Sequence, residues 1–163
     1  MKKLVILALL SVTSLFASNI EVKDAYVRAT PPGLPNSAAF MTIVNETAKK
    51  IDIVKVSSTI AKSVELHTHD MKNGVMSMYQ VPKVTVPKKG KIVLKPGGFH
   101  VMFIGLHKPL QVGNSVVFTL ELANGETKTI TAPVKSVMGG MNHKKMDHSK
   151  MDHSKMNHMK HSN

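Results

Sequence analysis

Phe99-His100-Val101-Met102-Phe103 is a stretch in which large apolar residues alternate with a histidine and a methionine. Side chains of one parity share a face of a β-strand, so His100 and Met102 are expected on one face. Phe99, Val101 and Phe103 are expected on the opposite face, in the core. The stretch therefore predicts a half-buried strand that carries two metal-binding side chains on its other face.

Short β-prone runs separated by turn residues extend from residue 20 to about residue 137, without a sustained helical period. Their spacing predicts an all-β fold, an antiparallel Greek-key β-sandwich. Asn124-Gly125 is the clearest hairpin signal, and Asn73-Gly74 marks a second turn. The predicted strands are Glu21–Arg28, Ala38–Asn45, Ile51–Ser57, Ser63–His67, Val75–Val81, Lys91–Leu94, Phe99–Gly105, Ser115–Leu122 and Thr127–Ala132.

The two ends of the chain differ in composition from this central part. Residues 1–17 carry Lys2 and Lys3, an apolar run and a small residue, Ala17, which predicts a cleavable signal peptide and export to the periplasm. The apolar run is shorter than the roughly 20 residues of a membrane helix, so no stable membrane insertion is expected, and an uncleaved anchor is the alternative. The domain organisation is thus a signal peptide at 1–17, a β-sandwich at 18–137 and a tail at 138–163.

The tail repeats a Met-x-His unit every five residues, with lysines between the units. It has almost no aliphatic residues to bury, so it is predicted to be disordered without metal. The repeat favours capture of copper, as Cu(I) by methionine or as Cu(II) by histidine, over a plain basic solubility tail. Its candidate metal ligands are Met141, His143, Met146, His148, Met151, His153, Met156, His158, Met159 and His161.

Composition excludes several classes of protein. The chain has no cysteine, which rules out disulfides, blue-copper sites, Fe–S clusters and Cys-type zinc sites. A formal charge of +12 is common in nucleic-acid binders, but two Tyr, five Phe and no Trp leave few rings for stacking on bases. Together with the predicted export, this argues against a nucleic-acid partner.

Soft metal donors lie on both sides of the Asn73-Gly74 turn, as His67-x-His69 and Met76-x-Met78. A loop or hairpin at this turn would bring His67 close to Met78. Thioethers and imidazoles suit Cu(I) better than hard ions such as Mg²⁺. Each residue also has an ordinary role, because methionine often fills a core and a surface histidine is usually solvated. The pattern alone leaves both interpretations open.

The spacing of four of these residues resembles a known motif. His67, ten residues, Met78, twenty-one residues and then His100-x-Met102 is similar to the motif of the periplasmic PCu(A)C-type copper chaperones. The resemblance extends over about residues 20–134. It includes the runs Ala25-Tyr26-Val27-Arg28, Pro31-Pro32-Gly33, Ala38-Ala39-Phe40-Met41-Thr42-Ile43, Gly74-Val75-Met76-Ser77-Met78 and Leu94-Lys95-Pro96-Gly97-Gly98-Phe99-His100.

The resemblance implies a cupredoxin-like β-sandwich with a Cu(I) site near solvent. It implies that His67, Met78, His100 and Met102 are the copper ligands. His69 and Met76 lie outside the motif, and we regard them as alternate ligands or as residues that support the ligands. The resemblance also implies delivery of copper to the binuclear copper centre of cytochrome c oxidase, alongside a thiol-bearing Sco-type assembly protein.

Three other functions remain open at this point. A copper-sequestering or resistance protein of the periplasm would use the tail without delivering metal. A copper enzyme or redox protein would use His67, His69 and His100, although no catalysis is predicted because no nucleophile and base pair is evident. A nucleic-acid binder ranks last.

Overall fold

A computed structural model of the protein describes residues 19–72 and 74–136. The predicted signal peptide and the candidate ligands of the tail lie outside the described residues. Within those two ranges the chain forms ten strands. They are β1 (Ile20–Arg28), β2 (Asn36–Asn45), β3 (Ile51–Ser57), β4 (Ala61–Lys72), β5 (Val75–Gln80), β6 (Val84–Val86), β7 (Gly90–Leu94), β8 (His100–Leu106), β9 (Ser115–Leu122) and β10 (Thr127–Lys135).

The strands form one hydrogen-bonded array that folds into two halves. Its order is β5-β4-β8-β2-β1-β10-β9-β3-β6, and β7 pairs with β2 beyond the end of β8. The chain passes back and forth between the halves, because β3 and β6 belong with β9 whereas β4, β7 and β8 belong with β2. Such crossing connections are expected of a Greek-key sandwich. The predicted all-β fold is confirmed.

The core lies between the two halves. Val101 and Phe103 are fully buried, and the Phe103 ring meets the Phe118 ring edge-on, with the ring centroids 5.8 Å apart. Phe99 packs against this core and is partly buried. The predicted inward face of the opening stretch is therefore confirmed, and His100 and Met102 lie on the other face of β8.

Several strand predictions need correction. β4 continues five residues beyond the predicted end at His67, since its polar outer part pairs with β5 in a hairpin. The short strand β6 was not predicted, because it has only three residues and lies between Pro82 and Pro87. The sheet is also not purely antiparallel. β1 and β10 pair in parallel, with Val27 opposite Val134 and Arg28 opposite Lys135.

Both hairpin predictions are confirmed. Gly125 has φ +83° between β9 and β10, and Gly74 has φ +78° between β4 and β5. Glycine adopts such angles without the steric cost that a Cβ atom would impose. The second turn is the one that matters for the site, since it fixes the pairing of β4 with β5. In the described part of the chain, no helix is long and apolar enough to cross a membrane.

Candidate metal centre

The candidate ligands lie on the outer face of three adjacent strands, β5, β4 and β8. The register sets His67 opposite His100 and Glu65 opposite Met102, between β4 and β8. On the other side of β4, His69 lies opposite Met78. Paired residues of antiparallel strands project from the same face, so these six side chains share one surface.

His100 is the buried centre of this surface, with 2% of its area exposed. Its Nδ1 lies 2.9 Å from the carbonyl oxygen of Gly98, and its Nε2 lies 3.2 Å from the sulfur of Met78. Met78 and His100 come from strands separated by β4, so the two side chains meet above that strand. Burial lowers the pKa of His100, which favours the neutral imidazole that a metal requires.

The hydrogen bond to Gly98 assigns the tautomer of His100. A carbonyl oxygen can only accept, so the proton of the neutral ring is on Nδ1 and Nε2 keeps its lone pair. That lone pair faces the thioether of Met78, which is itself only a weak acceptor. Two electron donors that face each other at 3.2 Å are arranged as two ligands of one metal ion would be.

His67 is held in a similar way by its own strand. Its Nε2 lies 2.8 Å from Oε2 of Glu65, and the other carboxylate oxygen accepts a 2.8 Å hydrogen bond from the Ser63 hydroxyl. These two bonds, with that from His67 the stronger influence, lower the pKa of Glu65 and keep it ionised. A carboxylate that holds one imidazole nitrogen leaves the other for a metal. The Nδ1 of His67 is buried without a hydrogen-bond partner.

A pocket of about 420 Å³ opens beside His100, and its lining includes His69, Met78 and Met102. Phe40 and Arg28 also line the pocket. The centroid of the Phe40 ring lies 6.3 Å from that of the His100 ring, and the Arg28 guanidinium lies over the Phe40 ring, 5.3 Å from its centroid. The Nδ1 of His69 is buried and unpartnered, like that of His67. Unsatisfied buried nitrogens are rare in folded proteins, and two of them on rings that neighbour the His100 ring fit a site that takes a ligand.

Ring spacing shows how closely the three imidazoles approach. The centroid of the His100 ring lies 5.1 Å from that of His69 and 5.9 Å from that of His67. Imidazoles that share one metal at N–metal distances of about 2.0–2.1 Å have centroids roughly 4.5–6.5 Å apart. Even so, no three His, Asp or Glu side chains of residues 19–72 and 74–136 form a metal-binding group by themselves. A metal site on this surface would therefore include thioether sulfurs among its donors.

The structure thus brings together the four motif residues, but with His69 among them. The hairpin sets Met78 opposite His69, and His67 lies opposite Gln80, so His67 and Met78 are diagonal neighbours. Met76 lies one pair further out, opposite Met71. Sequence reasoning missed the roles of Glu65 and of the Gly98 carbonyl. Glu65 was open to inference, because it shares the parity of His67 on one strand.

Comparison with known proteins identifies the family. Residues 20–134 match the family model described as "Putative lipoprotein LpqE-like". The chain belongs to the LpqE-like family. The chain is also 32% identical over 130 residues to "Putative lipoprotein Lxx21020" of Leifsonia xyli subsp. xyli, over 79% of this chain and 77% of that protein.

Solved structures similar to this LpqE-like chain are PCuAC domains, which confirms the resemblance stated from the sequence. CuI-DR1885 from Deinococcus radiodurans is 37% identical, with a TM-score of 0.58 over 70% of this chain and 76% of that one. The apo PCuAC domain from PmoF1 is 27% identical, with a TM-score of 0.64 over 73% of this chain and 95% of that one. The cupredoxin-like fold of this LpqE-like chain is thereby confirmed.

Proposed function

We propose that the protein is a periplasmic copper chaperone that binds Cu(I) through His67, Met78, His100 and Met102. The observation that carries this proposal is the 3.2 Å approach of the Met78 sulfur to Nε2 of His100. Both atoms present electron pairs, and the opposite ring nitrogen of His100 is held by the Gly98 carbonyl. The similar structure CuI-DR1885 is a Cu(I) form, which supports the same cargo here.

The donor types favour Cu(I) and allow its release. Two thioethers and neutral imidazoles are soft or borderline donors, and they carry no charge that would hold a divalent ion. Met78 is 43% exposed, so an incoming ligand can reach the metal on that side. Metal held in this way can pass to a partner through shared coordination. No catalytic step is proposed.

The proposal also includes export of the protein to the periplasm and capture of copper by its tail. A lipoprotein relative and the predicted signal peptide at residues 1–17 support a periplasmic location. The domain at 18–137 would hold the tight site, and the tail at 138–163 would collect copper, with Cu(II) bound by its histidines. The recipient would be the copper-centre subunit of cytochrome c oxidase, with a thiol-bearing Sco-type protein as a second partner.

Competition titration with a Cu(I) chelator tests the ligand assignment. We expect His100→Ala/Met102→Ala to abolish tight binding, both in the full chain and in a chain without residues 138–163. Met41→Leu is the matched control, because Met41 is 2% exposed in the core and the substitution removes a thioether that is not among the residues lining the pocket. Retention of tight Cu(I) binding by the double variant would show that the assignment is wrong.

The tail favours one second candidate function, copper sequestration without delivery. Its many Met and His residues offer more donors than a single transfer site needs. The two functions differ in transfer. A Cu(I)-loaded chaperone mixed with an apo oxidase copper domain will move its metal to that domain, whereas a sequestering protein will retain it.

A further inference from the structure

The methionines of the folded part are distributed unevenly. Residues 19–72 and 74–136 contain five, and Met41 alone is in the core. The other four lie on the outer face of β5, β4 and β8 that carries the histidines. These four are Met71, Met76, Met78 and Met102. The proposed ligand set uses two of them and leaves Met71 and Met76 without a role.

Met71 and Met76 form the outermost pair of the β4–β5 hairpin on this face. They lie directly opposite each other, and they are 60% and 61% exposed. Side chains that are this exposed contribute little to packing. Directly opposed residues have Cβ atoms about 4.5–5.5 Å apart, close enough for two flexible thioethers to meet on one ion.

The next pair inward is His69 and Met78. Successive pairs on one face are separated by two residues, or about 6.8 Å along an antiparallel strand. His69 has a buried Nδ1 without a partner, and Met78 reaches His100. Soft donors therefore continue without a gap from the exposed tip of the hairpin to the buried imidazole of His100.

We propose that Met71 and Met76 form an outer Cu(I) site, through which copper passes between solvent or a partner and the inner site. The inference rests on the proposed function, since it assumes that the inner site binds Cu(I). At each step one bond from copper to sulfur breaks as one bond to His69 or Met78 forms. Copper stays Cu(I) throughout, and no proton moves because thioethers and neutral imidazole bind without losing one.

The outer site should bind copper more weakly than the inner site. It offers two thioethers in solvent, whereas the inner site adds two imidazoles whose second nitrogens are already held. A weak site next to a tight one raises the local copper concentration during exchange without changing the final affinity. The outer site therefore acts on the rate of exchange and leaves the equilibrium unchanged.

Methyl NMR on the full chain, labelled with [methyl-13C]methionine, tests where copper binds. We expect the first equivalent of Cu(I) to shift the methyl signals of Met78 and Met102. Further Cu(I) should then shift those of Met71 and Met76 together, with assignments from single Met→Leu variants. Absence of any shift at Met71 and Met76 up to saturation would overturn the inference and leave the proposed function intact.

Withdrawal kinetics test whether the outer site is used. The full chain carrying one equivalent of Cu(I) is mixed with excess chromophoric Cu(I) chelator, and the transfer rate is followed by absorbance. Met71→Leu/Met76→Leu should slow transfer about tenfold, because the local site is lost, with unchanged affinity. Val75→Leu is the control, since Val75 is equally exposed at the tip but has the opposite parity.

The outcomes of these experiments distinguish the outer site from the proposed function of the inner site. An unchanged transfer rate in the double variant overturns the outer site. This result is expected if Met71 and Met76 serve only to dock a partner protein. A lower equilibrium affinity in that variant also overturns it, because the pair would then belong to the inner site. Failure of the wild type to bind the first equivalent at Met78 overturns the proposed function and this inference together.

Discussion

His67 and His100 each have one ring nitrogen held by the protein and one nitrogen available. Glu65 holds Nε2 of His67, and the Gly98 carbonyl holds Nδ1 of His100. The carboxylate and the carbonyl are different acceptors, but each fixes the orientation of its imidazole ring and leaves the lone pair of the other ring nitrogen available to a metal. These two acceptors prepare the imidazoles before any metal arrives.

Removal of Glu65 should weaken copper binding although Glu65 itself is not a proposed ligand. We expect Glu65→Ala to lower Cu(I) affinity about 10–100-fold, because the His67 ring loses its orientation and its preferred tautomer. Competition titration measures the change. Glu121→Ala is the control, since Glu121 lies on β9 in a surface ion pair with Lys55. Equal affinities for the Glu65→Ala variant and the wild type would contradict this role.

His100 should make the stability of the metal-free protein depend on pH. Its pKa is lowered on folding from the ordinary histidine value of 6.5, chiefly by burial, so the unfolded chain binds the proton more readily than the folded protein. Stability contributed by the neutral ring is therefore present above about pH 6.5 and is lost as the pH falls through the folded pKa.

Urea unfolding at pH 7.5 and pH 5.5 tests this dependence. We expect the free energy of unfolding of the wild type to decrease more between pH 7.5 and pH 5.5 than that of His100→Gln, which has no titrating group at this position. The difference between the two slopes isolates His100 from the other histidines. A His100→Gln protein with the full wild-type slope would show that His100 does not contribute.

At the scale of secondary structure, the β4–β5 hairpin determines which donors meet. Met78 reaches His100 only because the turn at residue 74 sets Met78 opposite His69 on the neighbouring strand. Gly74 has φ +78° and nothing within 4 Å of the position a Cβ would occupy. A substitution there disturbs the backbone conformation without a steric clash.

Gly74→Ala and Gly125→Ala form a matched pair. Both glycines have positive φ and open space around them, so each alanine should cost about 1 kcal/mol or somewhat more of stability. Only Gly74→Ala should weaken Cu(I) binding, because only its hairpin carries Met78. Thermal unfolding and competition titration measure the two effects. Equal copper affinities in the two variants would contradict a role for the hairpin register.

The sequence predicts those parts of the fold and site that depend on local pattern. Alternation in β8 predicted that His100 and Met102 share a face, and turn residues predicted both hairpins. The pairing of His69 with Met78 was not predicted, because register depends on where the turn closes, and β4 was expected to end at His67. The parallel pairing of β1 with β10 was missed for a related reason. It joins residues more than a hundred positions apart, and no local pattern reports such a contact.

At the scale of the whole molecule, the last strand ends near the pocket. Lys135 at the end of β10 lies opposite Arg28 on β1, and Arg28 lines the pocket beside His100. β10 is three positions from β8 in the strand order, which corresponds to about 14 Å across the sheet. The five residue-to-residue steps from Ser136 to Met141 can span up to about 17 Å when extended. The first Met-x-His unit is therefore within reach of the site.

Deletion of residues 138–163 should lower the number of copper ions bound while leaving one tight Cu(I) site. The reason is that the tail holds ten candidate ligands, whereas the motif residues lie in the domain. Equilibrium dialysis gives the stoichiometry and competition titration gives the affinity of the tight site.

A full-length chain with every tail Met and His changed to Ser keeps the tail length and its lysines, so it separates the loss of ligands from the loss of charge. This control should behave as the deletion does, because soft donors collect copper and positive charge does not. Unchanged stoichiometry on deletion would show that the tail is a solubility segment, and a control that still binds extra copper would exclude the Met-x-His units as its ligands.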